Sequence, residues 1–301
     1  MINKKQLITV LIVLITIAGC KDKPGNQETS ALGFGEKTEH REDIRAMYFR
    51  FPTSKEMINY IDFSDFTYHE HLLNPVSNND DYFRSNQKML NLGVYLSDIA
   101  YLALFEKHNQ LGDYLEVILK SCDELRLEFP FQNQMLDRMK ANVGNQDSLL
   151  HIAEEYQDKV IDNLLNSGRE KTIAIVSTGG YIEGLYLALE SVESFEDNYA
   201  TVQRIAEQKY AFNNLMKFTA QYKDDVNAAK SLAYLEKIDR KFQAIKYKEK
   251  PVVAKKQKDQ KLLIDGGREL SITREQFTAL KETVAEARNS IITTEISKNE
   301  N

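Results

Sequence analysis

The chain has 301 residues, 39 Lys and Arg against 45 Asp and Glu for a formal charge of −6, and 42% apolar residues. This is enough for one large domain or two smaller ones, and the acidic balance argues against a nucleic-acid partner, which would call for a basic surplus or a basic face. Thirteen Gly and five Pro are too few breakers for a sandwich or barrel of many short strands, so the expected fold class is all-α: a multi-helix bundle of antiparallel helical hairpins with a small β-hairpin and a C-terminal helix.

Residues 1–19 read as a secretion signal. Lys4 and Lys5 precede an apolar run from Leu7 to Ile17, and the small residues Ala18 and Gly19 lead to Cys20, which supplies the charged, hydrophobic and cleavage regions of such a leader. The apolar run is shorter than the roughly 20 residues of a membrane span. The order Ile17-Ala18-Gly19-Cys20 resembles the lipobox of bacterial lipoproteins. That resemblance implies cleavage between Gly19 and Cys20 and a diacylglycerol thioether on the Cys20 sulfur. Two acyl chains suffice for stable anchoring. Removing the leader, which holds two lysines and no acid, leaves 37 basic and 45 acidic residues, a charge of −8. Cys122 is then the one cysteine without an acyl chain, so stability must come from a packed core.

Residues 20–39 form the expected tether, which mixes Lys, Gly, Pro, Asn, Gln and Ser with few large apolar residues and as a coil spans about 23 Å. A helical domain is expected over 40–250. Thr53-Ser-Lys-Glu56 after Pro52 has the form of a capping box, and Asn74 to Asp81 reads as a loop. Between 86 and 107, Met89, Leu92, Leu96, Ile99, Ala103 and Leu104 recur at helical spacing. Leu111, Leu115, Ile118, Cys122 and Leu125 repeat the pattern in a helix that Pro130 should end, with Cys122 a buried structural thiol. Helices follow over 132–142, 146–166 with Asn145 as cap, 169–193, 197–222 and 225–248. The lysine-rich stretch at 251–260 reads as a linker. In the last unit, 261–301, Asp265-Gly266-Gly267 between short apolar runs signals a hairpin turn. Thr273 to Gln276 then caps a helix whose stripe is Phe277, Leu280, Val284, Ala287 and Ile291.

Three glycines, Gly179, Gly180 and Gly184, fall in one helix, where each costs about 0.8–1 kcal/mol relative to alanine. A neighbouring helix on the Gly180 and Gly184 face, or a ligand on the same bare backbone, would compensate. An echo lies 85 residues upstream: Asp98-Ile-Ala-Tyr101-Leu-Ala-Leu matches Glu183-Gly184-Leu-Tyr186-Leu-Ala-Leu. Two helices packed about a pseudo-twofold axis would bring Asp98 to Glu183, and chance similarity of two Leu/Ala-rich helices explains the echo equally well. Paired acids with split pKa values do acid and base work; otherwise each accepts a tyrosine or backbone hydrogen bond.

His69 and His71 are the one close histidine pair, at a spacing unsuited to a helical metal site. No P-loop, nucleophile elbow, dinucleotide fingerprint or zincin motif occurs, and no cofactor, metal or catalytic residue is expected. Leu73-Asn74-Pro75-Val76, Asn91-Leu-Gly93-Val-Tyr95, Gly179 to Tyr186 and Ile272 to Phe277 together resemble a group of uncharacterised, mostly helical lipoproteins of Bacteroidota. The resemblance implies an envelope address and a helical body, and it carries no activity. The expected function is non-catalytic binding or scaffolding by a lipid-anchored envelope protein with a protein partner. The alternatives are an envelope hydrolase using Asp98 and Glu183, or a small-molecule binder lined by Tyr101 and Tyr186.

Overall fold

The computed structural model describes residues 45, 66–127, 132–142, 145–256 and 262–293, all within Arg41–Asn301, the second of the two units into which the chain divides. The leader, Cys20, the tether, the capping box at Thr53, Pro130 and the connection at 257–261 lie outside the described residues. The described part is all-α with one small antiparallel sheet. Its helices are α1 (Ser85–Leu104), α2 (His108–Glu124), α3 (Gln132–Ala141), α4 (Gln146–Asn166), α5 (Glu170–Glu190), α6 (Tyr199–Glu207), α7 (Lys209–Ala220), α8 (Val226–Ala244) and, after strands β1 (Lys246–Lys256) and β2 (Leu262–Ser271), α9 (Arg274–Ile292).

Helix α5 is the axis of the body, packed by α1, α7, α8 and α9. It is apolar on all sides and long enough to cross a membrane, yet 83% of its apolar window is buried inside the protein, as expected of a core helix. Contacts of Leu90 with Gly179, Ser97 with Gly180 and Asp98 with Glu183 make α1 and α5 run side by side in the same direction. Helix α9 runs the opposite way along α5: Phe277 meets Phe195, Lys281 meets Glu190 at 3.2 Å and Arg288 meets Glu183 at 3.0 Å.

Several local expectations are met in detail. The Asn145 side chain accepts from the Ser148 N–H, Gly168 closes α4 at φ 68°, and Thr273 and Gln276 form a reciprocal capping box on α9. Others shift. The segment from Asn74 to Asp81 holds a 3-10 helix at Val76–Asp81, because Pro75 fixes its φ at the start and its carbonyl accepts from the Asn78 N–H. Helix α2 stops before Pro130: Arg126 turns left-handed at φ 51°, and the Leu127 N–H donates back to the Cys122 carbonyl. The Arg169 guanidinium caps that end by donating to the Leu125 and Arg126 carbonyls.

The helix expected over 197–222 is two helices. At Gln208 the N–H donates to the Ile205 carbonyl three residues back, while the Tyr181 hydroxyl donates to the Gln208 carbonyl. The hairpin is also displaced. Helix α8 ends at Ala244, and residues 251–256, read as linker, are the outer half of β1. Asp265-Gly266-Gly267 lies within β2, where Gly267 at φ 105° faces Lys250 beside a register shift. The glycines serve a bulge in the ribbon, not its turn.

Candidate functional site

The α1–α5 contact is made by missing side chains. A Cβ on Gly93 would lie 2.0 Å from the Val176 carbonyl oxygen and 2.5 Å from the Gly180 nitrogen, and one on Gly179 would lie 2.0 Å from the Leu90 oxygen. Gly93 and Gly179 therefore carry the close approach, with the Gly180 backbone in the same contact; the sequence singles out the Gly180 and Gly184 face. Gly180 offers backbone: its carbonyl accepts from Ser97 Oγ at 2.7 Å. Gly184 is buried beside it in α5. The close approach seats the next turn of each helix face to face, and the acids meet there.

Asp98 and Glu183 are both fully buried, and Arg288 of α9 is 5% exposed. The guanidinium grips Glu183 with two bonds, Nε to Oε2 at 3.0 Å and Nη2 to Oε1 at 3.2 Å, and Nη2 also donates to the Leu72 carbonyl at 2.8 Å. Its plane lies over the Tyr186 ring, 4.7 Å from the centroid. Asp98 Oδ2 accepts the Asn74 N–H at 3.2 Å, while Oδ1 has no hydrogen-bond partner, and the Glu183 carboxyl is near enough to act on that of Asp98. Burial pushes the Asp98 carboxyl well above the usual range, and the Glu183 charge adds to this. Burial also raises Glu183, but Arg288 opposes it there. Of the two acids Asp98 is thus the one that holds a proton, and Glu183 is the anion paired with Arg288.

A shell of amides and tyrosines continues the network. The Asn74 side-chain amide donates to the Tyr82 hydroxyl and to Asn91 Oδ1, and the Asn74 carbonyl accepts from the Tyr114 hydroxyl at 3.0 Å. Asn91 Nδ2 and the Tyr82 hydroxyl each donate at 3.0 Å to the last carbonyls of α9, those of Ile291 and Ile292, which satisfies acceptors a helix end leaves open. The Tyr101 hydroxyl accepts the His69 N–H at 3.2 Å. The segments around Asn74, Asn91 and Glu183 therefore converge on one buried cluster.

The sequence reading did not reach Arg288. Its signal was a cation on the α9 stripe, one turn after Val284 and just before Ile291. Cys122 is buried with its thiol pushed up to about 12 by desolvation, the state of an inert core thiol. The His69 and His71 rings lie tilted to each other with centroids 5.5 Å apart, and no metal-holding group of three or more ligands occurs among the described residues. No protein-family model, curated protein or solved structure matches the chain.

In chemical terms the cluster is a buried acid, anion and cation. Both Glu183 oxygens are held by Arg288 and one Asp98 oxygen by Asn74, while the other Asp98 oxygen has no hydrogen-bond partner. This arrangement fastens α9 and the Asn74 segment to the α1–α5 pair.

Proposed function

We propose that the protein is a lipid-anchored component of the cell envelope, at the outer membrane and facing the periplasm or the surface, whose helical body binds or scaffolds an envelope protein without catalysis. The observation that carries this reading is the order Ile17-Ala18-Gly19-Cys20 after a charged and an apolar region. Acyl chains on Cys20 would confine the body to a lipid sheet and raise its effective concentration against partners held there.

A non-catalytic role is supported by the full burial of Asp98 and Glu183 and by the hold of Arg288 on both Glu183 oxygens. A hydrolase would need one of them facing substrate and water. A rigid body also suits a scaffold, since an interface held in place loses less entropy on binding.

Cys20→Ser tests the anchor in the native host. The natural protein is expected in the membrane fraction, released by detergent, and the variant in a soluble or unprocessed form. Equal membrane retention of the two would overturn the reading.

A further inference from the structure

We propose that the β1–β2 ribbon is a lipid-contacting arm that docks the helical body on an anionic phospholipid surface, an inference that rests on the envelope location proposed above. The ribbon's two strands, of 11 and 10 residues, extend about 33 Å at the usual rise per residue. Its base is tied down: Leu270 and Ile245 are buried, Lys209 Nζ donates to the Ile245 carbonyl at 3.1 Å, and the Gln203 amide donates to the Leu270 carbonyl. Helix α6 packs against β2. A two-stranded ribbon is marginal in water by itself, so its outer half gains from a surface to lie on.

Charge indicates which surface. The two strands carry five lysines and Arg268 against three acids, a net +3 in a chain of −6, so the remainder carries −9. An anionic sheet would attract this segment and repel the rest, which orients the body. Beyond the bulge, the register sets Ala254 opposite Ile264, Lys255 opposite Leu263 and Lys256 opposite Leu262. Apolar residues interleaved with lysines are the composition that settles at an anionic membrane interface. At the base, Tyr210 and Tyr247 are 52% and 46% exposed with rings 6.4 Å apart, residues that favour the headgroup level. Strand addition fits less well, because the lysines, Pro251 and the bulge of β1 are features that block edge pairing. A lipid surface needs no strand register.

The test uses the chain from residue 20 carrying Cys20→Ser, so that no acyl group contributes, with sedimentation against vesicles of equal phosphatidylglycerol and phosphatidylcholine or of phosphatidylcholine alone. Binding is expected to the anionic vesicles only, weakened at least about tenfold by joint Lys255→Glu and Lys256→Glu and by a rise to about 0.5 M salt. The salt series on the unsubstituted ribbon keeps the test independent of how the variant folds. No binding to anionic vesicles, equal binding to both kinds, or binding indifferent to salt would overturn the proposal. So would light scattering that shows the ribbon lysines joining two copies of the chain instead. Because the Cys20→Ser variant cannot be acylated, these outcomes are separate from whether Cys20 carries lipid in the cell.

Discussion

Asp98 is the residue whose protonation the cluster depends on. With both carboxylates ionised, one guanidinium would face two buried negative charges, so the native state keeps the Asp98 proton. The unfolded chain releases that proton near pH 3.9. Between that pH and the raised native value the native state binds more protons, so stability falls as pH rises through the window. Asp98→Asn places an amide donor toward Glu183 and has no proton to lose. Urea unfolding at a series of pH values should show a smaller loss from pH 5 to pH 8 in Asp98→Asn than in the parent, and greater stability at pH 8. Equal slopes would mean that Asp98 ionises normally. Arg288→Met leaves Glu183 as an unpaired buried anion and should cost about 3–5 kcal/mol. Adding Glu183→Gln should recover more than about 1 kcal/mol of that loss, as read from the same unfolding curves.

The α1–α5 pair shows how much of an element can be read from sequence. Helical period and caps located the main helices apart from the break at Gln208, and the 85-residue echo offered the meeting of Asp98 with Glu183 as one of two equal readings. That Gly93 is the glycine facing the α5 glycines from α1 was not legible, because that depends on the crossing of two backbones. Gly93→Ala and Gly179→Ala each drive a methyl to within 2.0 Å of a carbonyl oxygen. The clash should outweigh the roughly 1 kcal/mol that alanine contributes to a helix and leave a net loss of about 1–3 kcal/mol. Gly112 in α2 has open space at the same position, so Gly112→Ala should raise the thermal midpoint. A stabilised Gly93→Ala would refute the close approach. The break at Gln208 had no local signal, since the carbonyl that it offers to Tyr181 belongs to tertiary packing. Asp265-Gly266-Gly267 misled for a related reason: a glycine pair suits a bulge as well as a turn.

At the scale of the molecule, an acidic helical body encloses an apolar axis, and a leader-like segment precedes it in the chain. Composition alone indicated the helical class, because few glycines and prolines leave long helices uninterrupted. The polar cluster was half legible. Two acids in an echo could be noticed, but their cation comes from α9, 105 residues after Glu183, and only the packed fold unites them. On the proposed reading, electrostatics at this scale would set the body against an anionic sheet and the ribbon toward it, while the Cys20 lipid would hold both nearby. Mass spectrometry of the N-terminal peptide from protein made in its own host tests that account most directly. It predicts a chain beginning at Cys20 with a diacylglyceryl group on sulfur, whereas an unmodified thiol or an intact Met1 leader would contradict it.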